Sequence, residues 1–210
     1  EIRFCDWSSD VCSSDLDAIN FRDGRMGMYF LTHGAGHRPA EVLYDRSNSA
    51  FAAAPPAIYD WASLLKDARW LHVSGITPAV SSDTAEAAAQ AMAAARKAGV
   101  KISFDCNFRA RLWGSRAPEA PQLLTRLCEQ ADVIFGDDRD LAFMLGFKAT
   151  KEDARREAAD LAFKTFKQLR YIVCTERARA SVDVQQLTGL LFDSKTTYTS
   201  RPVLDRKSVV

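Results

Sequence analysis

The chain has 210 residues, with 28 Lys+Arg against 27 Asp+Glu, a formal net charge of +1 and 47% hydrophobic residues. So balanced a charge gives no reason to expect nucleic acid or an anionic membrane as partner. No apolar run approaches the roughly 20 residues that span a bilayer, and the length suffices for one globular domain with a real core.

Residues 1–16, EIRFCDWSSDVCSSDL, have no apolar period, no basic start and no apolar core, so they do not read as a signal peptide. Back-translated, residues 6–16 match a sequencing adapter, and residues 205–210 match its other end. Both segments are therefore expected to be foreign. Without them the cysteines are Cys106, Cys128 and Cys174, odd in number and widely spaced. No metal-ligand or disulfide spacing joins them, and a reducing cytoplasm is expected.

Residues 26–31 and 41–44 are short apolar-aromatic runs separated by HGAGHRP, whose Gly34, Gly36 and Pro39 mark a turn. A two-stranded ribbon is expected there. From Trp70 a βα rhythm begins, with residues 70–76 as a strand. Asp83 and Glu86 then read as a capping box opening an alanine-rich helix that stops at Gly99. A strand follows over 100–104, a helix over 121–130 and a strand over 133–135. Helices are expected over 137–145, with Gly146 as stop, and over 151–168. Residues 171–174 read as another strand, and 189–192 and 196–203 as late β segments. Strands alternating with helices imply an α/β fold with a parallel sheet covered on both faces.

The most informative stretch is residues 105–113, DCNFRARLW, which follows a strand. In open α/β sheets ligands bind beyond the carboxyl ends of strands. A carboxylate, an amide and a guanidinium at Asp105, Asn107 and Arg109 suit a polar, phosphorylated or acidic ligand. An ion pair between Arg109 and Asp105 is the competing reading. His72 reads as a core-edge histidine. His33 and His37, without a metal-ligand partner in sequence, read as exposed loop residues.

Taken in order, GRMGMYF (24–30), Arg38-Pro39, LYDRSNSAF (43–51), SGITP (74–78) and residues 105–113 resemble the ribokinase (PfkB) family of carbohydrate kinases, and within it the kinases of 2-keto-3-deoxygluconate. The resemblance implies a three-layer, ribokinase-like (Rossmann-like) α/β core with a small β lid over the sugar site. Residues 17–50 would be a partial lid and 51–204 a partial core. It implies ATP and Mg2+, a sugar acid as substrate, pairing of copies through the lid in the intact protein, and leaves monovalent-cation activation open. Carried over residue by residue, Tyr29, Tyr44 and Arg46 match lid residues that contact the sugar acid. Arg109 matches an arginine reaching substrate and phosphate, with Asn107 and Thr175 on the nucleotide side. Arginine suits an acid because its fork recognises carboxylate bidentately. A packed aromatic at Tyr29 and a solvated face at Tyr44 and Arg46 are the bland alternatives.

Several positions depart from the family pattern. Where members carry Asn-x-x-Glu, this chain has Asp137-Asp-Arg-Asp140, so Asp140 is an indirect magnesium candidate in competition with a plain acidic helix start. The loop after Thr175 lacks the usual glycines. The family's Gly-x-Gly-Asp segment, which supplies an anion hole and the base, is not found in the 210 residues. No residue is therefore assigned as catalytic base, and this polypeptide alone is expected to be inactive.

Overall fold

A computed structural model describes residues 19–32, 41–148, 153–179 and 184–206. The segment 1–16, His33, His37, Arg38, Pro39 and residues 207–210 lie outside the described residues.

Strands β1 (Met28–Thr32) and β2 (Glu41–Asp45) form an antiparallel ribbon in which Tyr29 lies opposite Tyr44. After a short helix α1 (Trp61–Leu64) comes the main sheet. Strands β3 (Trp70–Ser74), β4 (Lys101–Asp105), β5 (Val133–Phe135) and β6 (Tyr171–Arg179) are parallel and adjacent in that order. The parallel sheet expected from the βα rhythm is present in β3–β6, and the late strand β7 (Val184–Phe192) returns antiparallel to β6. Only residues 180–183 join the two, and a parallel crossover needs a dozen or more. Strands β8 (Thr197–Thr199) and β9 (Val203–Arg206) both pair with β7. The boundary expected between Leu204 and Asp205 falls inside β9.

The helices are α2 (Ile76–Val80), α3 (Ser82–Ala98), α4 (Ala110–Trp113), α5 (Ala120–Cys128), α6 (Asp138–Leu145) and α7 (Ala154–Thr165). Helix α2 replaces the end of the strand expected over 70–76. Gly75 N donates to the Asp105 carbonyl at 2.7 Å, and a Cβ on Gly75 would lie 2.0 Å from the Cys106 carbonyl oxygen. Only glycine lets the two backbones approach so closely, and the chain turns there. The capping box of α3 is also displaced. Ser81 Oγ accepts from Thr84 N at 3.1 Å and Thr84 Oγ1 accepts from Ser81 N at 3.0 Å, while Asp83 and Glu86 are exposed. Threonine takes the second role of the box because its side chain, like that of Glu or Gln, can reach back to the cap. Gly99 and Gly146 end α3 and α6 in left-handed conformations, as expected.

Val73, Ile102, Phe104, Ile134, Ile172 and Cys174 all point to one side and join Met92, Leu124 and Phe166 in one core. Alternate residues take the opposite face. There Trp70 is 48%, Phe135 39% and Tyr171 43% exposed. Among the described residues the helices thus cover one face of the sheet, where two covered faces were implied by the βα rhythm.

Candidate active site

The parallel pairing of β4, β5 and β6 stops together at Asp105, Phe135 and Val173, and the turns after β4 and β5 with the continuing β6 frame the site. Cys106 N donates to the Phe135 carbonyl at 2.8 Å, so the turn after β4 is bonded across to the end of β5. Asn107 follows with φ 37, a conformation that L-residues rarely take and that Asn tolerates better than most. Its amide is anchored, Nδ2 lying 3.1 Å from Ser74 Oγ at the end of β3. Such a held, sparsely populated geometry is typical of functional turns. Arg109 sits at the N-cap of α4 and is exposed, and its Nη1 donates to the Phe108 carbonyl at 3.0 Å. Among the described residues no ion pair joins it to Asp105, so that competing reading falls.

Asp105, Asn107, Arg109, Asp140 and Thr175 line one cleft of about 460 Å³. Burial raises the Asp105 carboxyl above its ordinary value, against the opposing influence of His72, the Asn107 N–H and Arg109. Burial likewise raises Asp140, helped by repulsion from Asp137 and Asp105 and opposed by the hydrogen bond from the Asp137 N–H and by Arg139. Asp137 goes the other way. Burial alone would raise it, but hydrogen bonds from Arg139 and from the Arg139 and Asp140 backbones bring it below the ordinary value. Contact with the Cys128 thiol and burial push Cys106 up, and burial pushes up Cys174, so both stay as thiols and poor nucleophiles.

The acidic start of α6 is a capping box as well as a cleft wall. Asp137 Oδ1 accepts from Arg139 N at 2.9 Å and Asp140 N at 3.1 Å, and Asp140 Oδ2 accepts from Asp137 N at 3.1 Å. Asp137 also pairs with Arg139 at 2.7 Å. Capping on Oδ1 and the Arg139 pair on Oδ2 therefore occupy both oxygens of Asp137, and capping leaves Asp140 one oxygen. Among the described residues no group of three His, Cys, Asp or Glu side chains gathers as a metal cage. Magnesium held with a nucleotide commonly uses one or two carboxylates plus phosphates and water, and Asp140 fits that lesser role.

The other candidates sit on the ribbon. Tyr29 is 60% exposed, which disposes of the packed-aromatic alternative. Its position opposite Tyr44 places the two tyrosines on one ribbon face, and Arg46, just past the end of β2, reaches the same side over the Tyr44 ring. The Arg46 guanidinium lies 5.2 Å from the centre of the Tyr44 ring. The ribbon is tied to the core by Arg111 Nη1, 3.0 Å from Glu41 Oε1 and two residues past Arg109. His72 is exposed on the open sheet face, its Nδ1 2.8 Å from Ser103 Oγ, and does not line the cleft. Sequence reasoning missed the anchoring role of Ser74 and the close approach at Gly75. Their signal was the Ser-Gly pair at a strand end.

A mixed α/β sheet, a polar cleft beyond its parallel strands and a two-stranded lid define a ribokinase-like protein. The chain belongs to the pfkB family of carbohydrate kinases, whose model matches residues 20–185. It is 31% identical over 144 residues to a 2-dehydro-3-deoxygalactonokinase of Haloferax volcanii, covering 68% of this chain and 44% of that one. It is 36% identical over 132 residues to Fructokinase-2 of Solanum habrochaites, covering 62% and 39%. The solved 2-dehydro-3-deoxygluconokinase of Thermotoga maritima superposes with a TM-score of 0.78 at 31% identity, over 87% of this chain and 56% of that one. The chain thus spans less than half the length of the curated relatives it matches.

Proposed function

We propose that this chain is the lid and part of the core of a kinase that transfers the γ-phosphate of ATP to the 6-hydroxyl of 2-keto-3-deoxygluconate. The observation that carries the reading is the common ribbon face of Tyr29, Tyr44 and Arg46, on a ribbon tethered beside Arg109. The ribbon would hold the acid end of the sugar, Arg46 pairing with its carboxylate and the tyrosines bounding the ring. Asn107, Arg109 and Thr175 would face the phosphates of the nucleotide. Magnesium, bound with the nucleotide, would neutralise phosphate charge, and Asp140 would reach it through water. Phosphoryl transfer depends on positioning and charge stabilisation, and the base on the sugar hydroxyl is not assigned to any residue here. Turnover by this chain alone is therefore not expected. Buried free thiols at Cys106, Cys128 and Cys174 fit a reducing compartment, and self-association through the ribbon remains part of the proposal.

A fructokinase is the second reading, favoured by the likeness to the Solanum enzyme. Arg46 separates the two, since a neutral sugar has no carboxylate to satisfy a lid arginine. Replacing Arg46 with Ala should weaken calorimetric binding of 2-keto-3-deoxygluconate roughly ten- to a hundredfold, the loss of about 1.5–3 kcal/mol from a charge-assisted pair. Fructose binding should hardly change. Equal losses for the two sugars would remove the acid reading.

A further inference from the structure

An isolated two-stranded ribbon is marginally stable, and this one has five residues in each strand. A slip of one residue would turn every side chain to the other face. On β2 the consequence is direct, because Tyr44 faces one side, where Arg46 just past the strand end lies over its ring, and Asp45 faces the other. Arg25 grips Asp45 from that other side. Its Nη1 is 3.0 Å from Asp45 Oδ2 and its Nη2 2.5 Å from Oδ1, a forked pair. The same guanidinium donates to the Ser47 carbonyl, from Nε at 3.1 Å and from Nη2 at 2.5 Å. Longer contacts at 3.5 Å reach the Met26 and Asp45 carbonyls. One side chain therefore holds positions 45 and 47, the two neighbours of Arg46.

The Arg25 backbone is fixed as well. It forms a parallel bridge with Ser49, and its carbonyl accepts from Ala50 N at 2.9 Å. The root of the guanidinium and the turn it grips thus belong to one bonded unit. All its donor groups, Nε, Nη1 and Nη2, are engaged by acceptors within the lid.

We infer that Arg25 is a positioning residue that sets the register and facing of β2, so that Tyr44 and Arg46 present their side chains to the sugar acid, and that Arg25 does not itself bind the carboxylate. The inference rests on the proposed acid-binding role of Tyr44 and Arg46. A lysine in its place would keep the charge and lose the fork, and a point charge cannot hold Asp45 and Ser47 together.

The test compares the wild-type chain with Arg25→Lys and Arg25→Gln by hydrogen exchange and by calorimetry with 2-keto-3-deoxygluconate and, separately, ADP. Both variants should speed amide exchange across residues 42–46 roughly tenfold or more and leave α3 and β4 protected. Both should weaken sugar-acid binding roughly tenfold, as expected when a bidentate charge-assisted pair is reduced to one contact or none, with ADP binding unchanged. Weaker binding of both ligands, with faster exchange in the core, would indicate general destabilisation and overturn the inference. Weaker sugar-acid binding with unchanged exchange at 42–46 would make Arg25 a direct contact and overturn it too. Faster exchange at 42–46 in Arg25→Lys, together with no sugar-acid binding by the wild-type chain, would uphold the register role and remove the acid reading of Tyr44 and Arg46. The two failures are thus distinguishable.

Discussion

Asp132 is the residue on which the alignment of the strand ends depends, and its removal gives the sharpest test of the fold. It is 6% exposed, at the entrance to β5. Its Oδ2 accepts from Ile102 N at 2.8 Å and lies 2.7 Å from Arg96 Nη2. Its own N donates to the Ile102 carbonyl at 2.8 Å, and its carbonyl accepts from Arg170 N at 2.8 Å and Tyr171 N at 3.2 Å. One residue thus bonds β4, β5 and β6 together at the end opposite the cleft. Replacing Asp132 with Ala leaves the Ile102 N–H buried without its acceptor, at a cost of about 1–3 kcal/mol. Arg96 adds less, because its side chain is 28% exposed and keeps the Gln130 carbonyl at 2.7 Å from Nε. A total of about 2–4 kcal/mol is expected, or a fall in Tm of roughly 4–16 °C for a chain of this size. Replacement with Asn, which keeps an acceptor for Ile102, should cost about half as much. Urea and thermal unfolding of the three proteins decide the matter. An Ala variant within about 0.5 kcal/mol of wild type, the range of ordinary surface substitutions, would refute the three-strand account.

Gly75→Ala should destabilise by about 1–3 kcal/mol or more, since its Cβ would fall 2.0 Å from the Cys106 carbonyl oxygen and the contact is backbone, which cannot swing away. Wild-type unfolding by urea would count against that contact. For Asp140→Asn the expectation is a gain. Burial holds the folded carboxyl above its ordinary value of 3.8, so ionisation in the folded chain costs stability at neutral pH. Below 3.8 the cost is absent, and it grows as pH rises through the folded value. The Asn variant should therefore melt higher than wild type at pH 7, and the difference should close on acidification through that window. A difference independent of pH would contradict the titration account.

Much of the fold was legible because apolar periodicity is a local signal. The strands at β3–β6 and the helices stopped by Gly99 and Gly146 follow from runs of neighbouring residues. The cleft was legible for a similar reason, since Asp105, Asn107 and Arg109 lie in one contiguous stretch at a strand end. What the sequence did not disclose depends on competition or on distance. Ser81 with Thr84 and Asp83 with Glu86 have the same spacing, and only the extended backbone at Ser81 (φ −158) decides between them. The turn of α2 is dictated by Cys106, some thirty residues beyond Gly75. The Arg25–Asp45 and Arg96–Asp132 pairs join residues 20 and 36 positions apart, for which a single sequence carries no pairing signal. The return of β7 was not legible, because strands read at 171–174 and 189–192 leave a gap long enough for a crossover, and only their extension toward each other shortens it to four residues.

The charge of the cleft bears on where an acid substrate would find its cation. Among the described residues Asp105, Asp137 and Asp140 line it against the one cation of Arg109. Burial raises Asp105 and Asp140, while at Asp137 burial is outweighed by hydrogen bonds centred on Arg139 that bring it down, so two of the three carboxyls are disfavoured as anions there. A polyphosphate entering it would meet like charge, so a divalent cation accompanying the nucleotide is the natural compensation. A sugar carboxylate placed in the same space would have only Arg109 to compensate it among the described residues. On the proposed function it should therefore turn outward, toward the ribbon, where Arg46 lies over Tyr44 and no carboxylate other than the already paired Asp45 flanks it in sequence. Specificity for an acid would then reside in the lid and phosphate handling in the core. The register of a ten-residue ribbon, held by Arg25, would decide which sugars the core can phosphorylate.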